Sequence, residues 1–150
     1  MQQKIEILRD SPLFCSLVPD ELQMLSELAQ RRRFTSGEVF FSEGEVGDAL
    51  YVLVEGTVSV CMNDSQGKEH SIANLKAPEY FGEMSLIDKE TRSATVRATD
   101  DGMALVLTLE NFQLFSRLFK NGFTLIVINI ARVLSLRLRE ANRRLVEGSP

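Results

Sequence analysis

The sequence predicts an α+β domain in which a β-sandwich or rolled barrel lies between helices at the two ends of the chain. Two patterns carry that prediction. From residue 34 to 108, glycines punctuate short runs rich in β-branched and aromatic residues, the mark of many short strands joined by tight turns. On either side, apolar residues recur at the three- and four-residue spacings of a helix face. A length of 150 residues with 44% hydrophobic and 25% charged side chains fits one such domain around one core.

Taken in order, Ile5, Ile7 and Leu8 precede Asp10-Ser11-Pro12, a short opening helix or turn ended by the proline. Val18-Pro19-Asp20-Glu21 opens a helix, with proline in its first turn, acids at its positive end and Leu22, Leu25 and Leu28 along one face. Arg31, Arg32 and Arg33 read as the solvated start of a strand rather than a patch for a partner. Strands are expected at 39–41, 50–54, 57–62, 71–75, 94–98 and 103–107, with 63–68 a hairpin loop by its composition.

Helical spacing returns at Thr108, where Phe112, Phe115 and Phe119 form an aromatic ridge that Asn121-Gly122 is expected to break. A longer helix is expected over 123–146, about six turns at 3.6 residues each. Val127, Ala131, Leu134, Leu138, Ala141 and Leu145 alternate four and three residues apart along it, which is coiled-coil spacing. Ile126, Ile130 and Val133 form an adjacent stripe suited to the helix's own barrel. A face this wide serves both purposes, so a homodimer through helix 123–146 is expected.

Composition excludes several classes of function. A net charge of −4 gives no overall attraction to nucleic acid or to an anionic membrane, and the five arginines from Arg132 to Arg144 come without a base-reading helix. No direct nucleic-acid contact is therefore expected. The longest apolar run, 123–130, is interrupted by Thr124 and Asn129 and is too short to span a bilayer. Cys15 and Cys61 lack metal-ligand spacing and lie among apolar residues, which fits a reducing, cytoplasmic compartment. His70 is the one histidine, placed at a strand start, so neither a metal cluster nor a Ser/His/Asp arrangement can form around it. With no Walker-type glycine loop and no nucleophile or acid–base pair, the expectation is binding without turnover: no enzyme, no metal and no cofactor.

What the chain is built to bind is concentrated in FGEMSLIDKETRSATVRA, residues 81–98. Gly82 lets main chain approach a ligand with no Cβ in the way. Met84-Ser85-Leu86-Ile87 is long enough for one helical turn, whose free N–H groups make an anion site. Arg92 adds a planar fork of donors suited to a phosphate. Glu83 would repel that phosphate, so its work is to accept a hydrogen bond from a hydroxyl of the same ligand. A ligand with a phosphate and a nearby hydroxyl is a nucleotide. The plainer reading is a surface loop in which Glu83 and Arg92 pair with each other, worth about 0–1 kcal/mol when exposed.

FGEMSL followed by TRSATVRA resembles the phosphate-binding cassette of the cyclic nucleotide-binding domain family, the sensor of catabolite-activator-type regulators, cyclic-nucleotide-dependent kinases and gated channels. The glycine pattern of that family's barrel is matched by Ser36-Gly37-Glu38-Val39-Phe40-Phe41, by Glu43-Gly44-Glu45-Val46-Gly47-Asp48-Ala49-Leu50-Tyr51 and by Glu55-Gly56-Thr57-Val58. The resemblance spans nearly the whole chain. It implies a jelly-roll-like β-roll, a double-stranded barrel, with helices before and after it: one domain over 1–150, divided into N-terminal helices at 1–33, the β-roll at 34–108 with its cassette at 81–98, and C-terminal helices at 109–146.

The resemblance also implies roles. Glu83 takes the ribose 2′-hydroxyl, Arg92 an exocyclic phosphate oxygen, and the backbone around Gly82, Ser85 and Ala94 completes the cradle. Val60, Ile72 and Met84 line the base, and Arg137 or Leu138 caps it from the long helix. Thr91 and Lys89 stand where many members have a proline before the arginine and a glycine three residues before it. Ser93, next to the arginine, is permissive for cAMP and cGMP alike; an apolar wall without a partner for guanine O6 and N7 favours cAMP. The expected function is a sensor that relays occupancy through its last helix to an effector that the sequence does not name. Two rivals are a ligand-independent dimeric interaction module and the excised sensor half of a transcription regulator, kinase or channel.

Overall fold

A computed structural model describes residues 2–88 and 91–148. Two helices come first, α1 (Gln2–Asp10) and α2 (Pro19–Leu28). The strands are β1 (Gln30–Phe34), β2 (Val39–Phe41), β3 (Ala49–Glu55), β4 (Thr57–Asn63), β5 (Glu69–Lys76), β6 (Tyr80–Phe81), β7 (Thr95–Ala98) and β8 (Gly102–Thr108), with a 3-10 turn at Glu83–Leu86 between β6 and β7. Helices α3 (Leu109–Leu118) and α4 (Lys120–Val146) close the chain. The strands pair antiparallel into two sheets, ordered β1-β8-β3-β6 and β2-β7-β4-β5, which is the expected β-roll between helices.

Strand β3 shows how the sequence fixes the layers. Its residues ALYVLV are apolar on both faces because both faces are covered. Leu50 and Val52 point to the helices and join Leu105 and Leu107 with Leu8, Leu13, Phe14, Leu22, Leu25, Phe112, Phe115, Ile126 and Ile130. Ala49, Tyr51 and Leu53 point into the roll, against Phe34, Phe40, Phe41, Val58, Phe81 and Val96. There the Phe40 ring meets Phe34, Tyr51 and Phe81 edge-on at centroid distances of 5.0, 5.3 and 5.0 Å, while Tyr51 and Phe81 stack at 5.0 Å. Such pairs add about 0.5–1.5 kcal/mol each beyond area burial.

The helix starts follow from their caps. Glu21 Oε1 accepts from Val18 N at 3.0 Å ahead of α2, and at α3 Thr108 and Asn111 exchange two bonds, Thr108 Oγ1 with Asn111 N at 3.1 Å and Asn111 Oδ1 with Thr108 N at 2.9 Å. In the β4–β5 hairpin, Asp64 accepts from the backbone N–H of Gln66 and Lys68 and lies 2.7 Å from His70 Nε2. The histidine contact, then those two N–H groups, hold the Asp64 carboxyl below its ordinary range.

The structure departs from the expected elements in several places. Strand β1 begins at Gln30, inside the segment allotted to the N-terminal helices, because Gln30 through Phe34 pair with β8 from Val106 to Gly102. Its Arg31 and Arg33 are exposed, while Arg32 lies over the Phe40 ring at 4.8 Å and 3.6 Å from Glu38. Strand β6 is two residues long and leaves no period to read. The break after the aromatic ridge falls at Phe119 rather than Asn121-Gly122, with Phe119 N still donating to Phe115 O at 2.8 Å. Gly122 lies in the first turn of α4, where a Cβ would run into the Glu21 carboxylate, so its smallness serves packing. Helix α4, at 27 residues, is by length and composition alone able to cross a membrane, which the run at 123–130 was not. In this fold its Ile126 and Ile130 are fully buried in the core, and Asn129 Nδ2 donates to Leu13 O at 2.9 Å and Ser16 Oγ at 3.1 Å.

Candidate functional site

The 3-10 turn forms where Gly82 adopts φ 87°, a left-handed conformation that side chains with a Cβ rarely take. A Cβ on Gly82 would also lie 2.7 Å from Ala49 O and 3.1 Å from Arg92 Nη1. The reversal turns the chain from β6 into Glu83–Leu86 and buries Glu83. On the far side of the loop, Arg92 N donates to Glu45 O at 2.6 Å, Gly44 N donates to Arg92 O at 2.9 Å, and Thr91 bridges Val46. The loop at 44–46 thus pins the backbone at Thr91 and Arg92. Lys89 lies outside the described residues.

Arg92 is buried, 8% exposed. Its Nη1 donates to Gly82 O at 3.2 Å and Ser85 Oγ at 2.8 Å, its Nη2 donates to Ala49 O at 3.0 Å, and its guanidinium lies 3.9 Å from the centre of the Phe41 ring. Asp48 Oδ1, on a largely exposed side chain, is 3.9 Å from Nη2. Nε is buried without a hydrogen-bond partner among the described residues. Burial lowers the Arg92 pKa, and Tyr51, Asp48, Glu83 and Glu45 oppose that fall. The arrangement is a desolvated cation with three of its five N–H donors engaged, suited to an anion.

Beside it, a cavity of about 520 Å³ opens between the roll, the 3-10 turn and α4. Val60 and Ile72 supply its roll side, and Gly82, Glu83, Met84, Ser93 and Ala94 its cassette side. From α4 come Arg137, Glu140, Ala141 and Arg144, residues i, i+3, i+4 and i+7 on one face. Leu138 does not join them. One residue on is about 100° around the helix, and Leu138 is 62% exposed. Ser85 and Arg92 are not among the cavity's lining residues and are bonded to each other. A register shift between Val60 and Cys61, opposite Ile72, accompanies the turn of the β4–β5 wall.

Glu83 and Arg92 form no ion pair with each other among the described residues. Glu83 Oε1 instead lies 3.6 Å from Arg137 Nη1 of α4. The same guanidinium stands 5.4 Å from the centre of the Tyr80 ring, a contact between α4 and the floor of the cassette. Sequence reasoning missed Tyr80, Glu140 and Arg144 on the wall, and also Gly47, whose Cβ would collide with Ser85 Oγ and lie 3.0 Å from Arg92 Cζ. Gly47 stood within the quoted glycine pattern; the signal for the α4 residues was their spacing from Arg137.

Tyr80 is 1% exposed, and burial first, then Glu83, push its hydroxyl pKa up to about 12 from 10.0. Below pH 10 both folded and unfolded chains carry the proton, so stability is unaffected. Between pH 10 and about 12 the unfolded chain loses it first, and stability falls as pH rises. Tyr80→Phe should therefore lose about 2 kcal/mol less than the parent across that interval, measured by urea unfolding at pH 9.5 and 11.5.

A model of the family described as "Cyclic nucleotide-binding domain" matches residues 31–117. The cyclic AMP receptor protein of Thermus thermophilus is 36% identical over 138 residues, 92% of this chain and 62% of that protein. A cAMP-dependent protein kinase regulatory subunit of Mycosarcoma maydis is 35% identical over 116 residues, 75% of this chain and 22% of the subunit. The crystal structure of Thermus thermophilus catabolite activator protein superposes with a TM-score of 0.77 at 36% identity, covering 92% of this chain and 63% of the other. The chain thus spans about three-fifths of the receptor protein's length, and less of the kinase subunit's.

Proposed function

The chain belongs to the cyclic nucleotide-binding domain family, and from that premise we propose that it is a sensor that binds cAMP in preference to cGMP and reports occupancy through α4. The observation that carries the reading is the buried Arg92. Its guanidinium is held by Gly82 O, Ser85 Oγ and Ala49 O, yet its Nε has no partner, beside a cavity of nucleotide size. In the proposed complex Arg92 meets a phosphate oxygen, Gly82, Ser85 and Ala94 supply the cradle, and Glu83 accepts from the ribose 2′-hydroxyl. The base lies against Val60, Ile72 and Met84 under Arg137.

Preference for cAMP is supported by the apolar side chains of that wall and by the names of the relatives, a cyclic AMP receptor and a cAMP-dependent kinase subunit. Of the charged α4 residues on the cavity besides Arg137, Glu140 pairs with Arg143 at 3.3 Å and with Arg144 at 3.7 Å. Calorimetric titration with cAMP, cGMP and 5′-AMP side by side tests the reading. The expected order is cAMP, then cGMP, then 5′-AMP. Binding of cGMP about tenfold or more tighter than cAMP would overturn the choice of base, and no binding of any cyclic nucleotide would overturn the function.

The relay rests on the Glu83–Arg137 ion pair. A ligand hydroxyl that takes Glu83 competes with the contact holding α4 to the cassette, so the two positions of α4 bind ligand unequally. The sensor has no catalytic step, and its two free thiols fit the cytoplasm. An interaction module with a dead pocket is disfavoured by the open cavity.

Homodimerisation through α4 is part of the proposal. Leu138 and Leu145, on the seam, are 62% and 76% exposed, and Leu136 and Val146 add 64% and 87% exposed apolar surface. The seam is narrower than the sequence implied, since Leu134 packs on the domain's own core and Ala141 faces the cavity. Leu138→Glu with Leu145→Glu should make the chain monomeric, because burying two carboxylates in an apolar seam costs several kcal/mol. Sedimentation velocity at micromolar concentration reads the outcome, and a monomeric parent would refute the dimer.

A further inference from the structure

Among the described residues, nothing hydrogen-bonds the Tyr80 hydroxyl. The side chain is 1% exposed, its oxygen is buried with no hydrogen-bond partner, and the residue stands on the cavity wall three positions before Glu83. A buried hydroxyl left unpaired destabilises a fold, and a partner in another state of the protein would offset that cost. Glu83 and Arg137 are the charged groups that act on it, and Arg137 both lies over its ring and holds the Glu83 carboxylate. One cation therefore contacts the phenol ring and the carboxylate together.

We propose that Tyr80 is a second holder of the sugar: once Arg137 releases Glu83, the Tyr80 O–H donates to the 2′-oxygen whose own proton Glu83 accepts. This rests on the reading of Glu83 as the ribose acceptor. The two groups are complementary. An ionised carboxylate can only accept, a sugar hydroxyl has one proton to give and lone pairs to fill, and a tyrosine hydroxyl fills one of them. With its pKa near 12 the phenol keeps that proton throughout the physiological range.

The test compares the parent chain with Tyr80→Phe, titrated with cAMP and with 2′-deoxy-cAMP, and follows the thermal midpoint of each without ligand. The variant should bind cAMP about 3- to 10-fold more weakly than the parent, the effect of one neutral hydrogen bond, and should bind 2′-deoxy-cAMP within about twofold of it. Its unliganded midpoint should equal or exceed the parent's, since it lacks the unpaired hydroxyl. Equal affinity of variant and parent for cAMP would overturn the proposal, as would an equal loss for both nucleotides or a lowered midpoint. A parent that binds neither nucleotide would overturn the underlying reading instead.

Discussion

Replacing Arg92 by alanine should weaken cyclic nucleotide binding by about 30- to 1,000-fold, the loss of about 2–4 kcal/mol that a charge-assisted contact in a partly dry site contributes. The structure adds a second effect. Arg92 joins the 3-10 turn to β3 through Gly82 O, Ser85 Oγ and Ala49 O, so the variant leaves buried acceptors unpaired and should lose about 1–3 kcal/mol of folding stability as well. Isothermal titration and urea unfolding measure the two separately. Arg92→Lys should recover part of the affinity only, because an ammonium cannot hold three acceptors and a phosphate in one plane. Unchanged affinity in the alanine variant would remove Arg92 from the site.

Gly82→Ala should be the most damaging single-methyl change in the cassette. A φ of 87° costs a residue with a Cβ about 1–2 kcal/mol, and here the added carbon would also sit 2.7 Å from Ala49 O. Main chain cannot rotate away as a side-chain tip can. A loss of about 2–4 kcal/mol in stability is expected, with binding weakened as Glu83 and Arg92 are pushed apart. A thermal midpoint and an affinity equal to the parent's would show that the turn tolerates a Cβ.

Much of this fold was legible because its signals are local. The continuous apolar run of β3, the helix opening at Val18-Pro19-Asp20-Glu21, the helical spacing from Thr108 and the glycine turns each specify their own stretch. The inner stripe of Ile126 and Ile130 was legible for the same reason. The misses have physical causes. Strand β6 is too short to show a period, and its Tyr80 and Phe81 matter through long-range packing. The resemblance offered Arg137 or Leu138 over the base, whereas helix geometry gives the cavity face to Arg137 with Glu140, Ala141 and Arg144. The ion partner of Glu83 could not be read at all, because Arg137 is 54 positions away and reaches it only when α4 lies across the roll.

The dimensions of α4 have a mechanical consequence. Its first half is clamped, with Ile126 and Ile130 in the core and Asn129 bonded to Leu13 and Ser16, while its second half carries the cavity-facing residues as far as Arg144. From Ile130 to Arg144 the uninterrupted helix is a stiff arm of about 21 Å at 1.5 Å per residue. A tilt of about 10° at the clamp would sweep the tip through about 3.6 Å, more than the 1.5 Å rise of one residue. In the proposed relay this arm would act as a lever with a short input and a long output: a displacement at Arg137, halfway along it, would arrive at Arg144 roughly doubled, without any change in the fold of the helix itself.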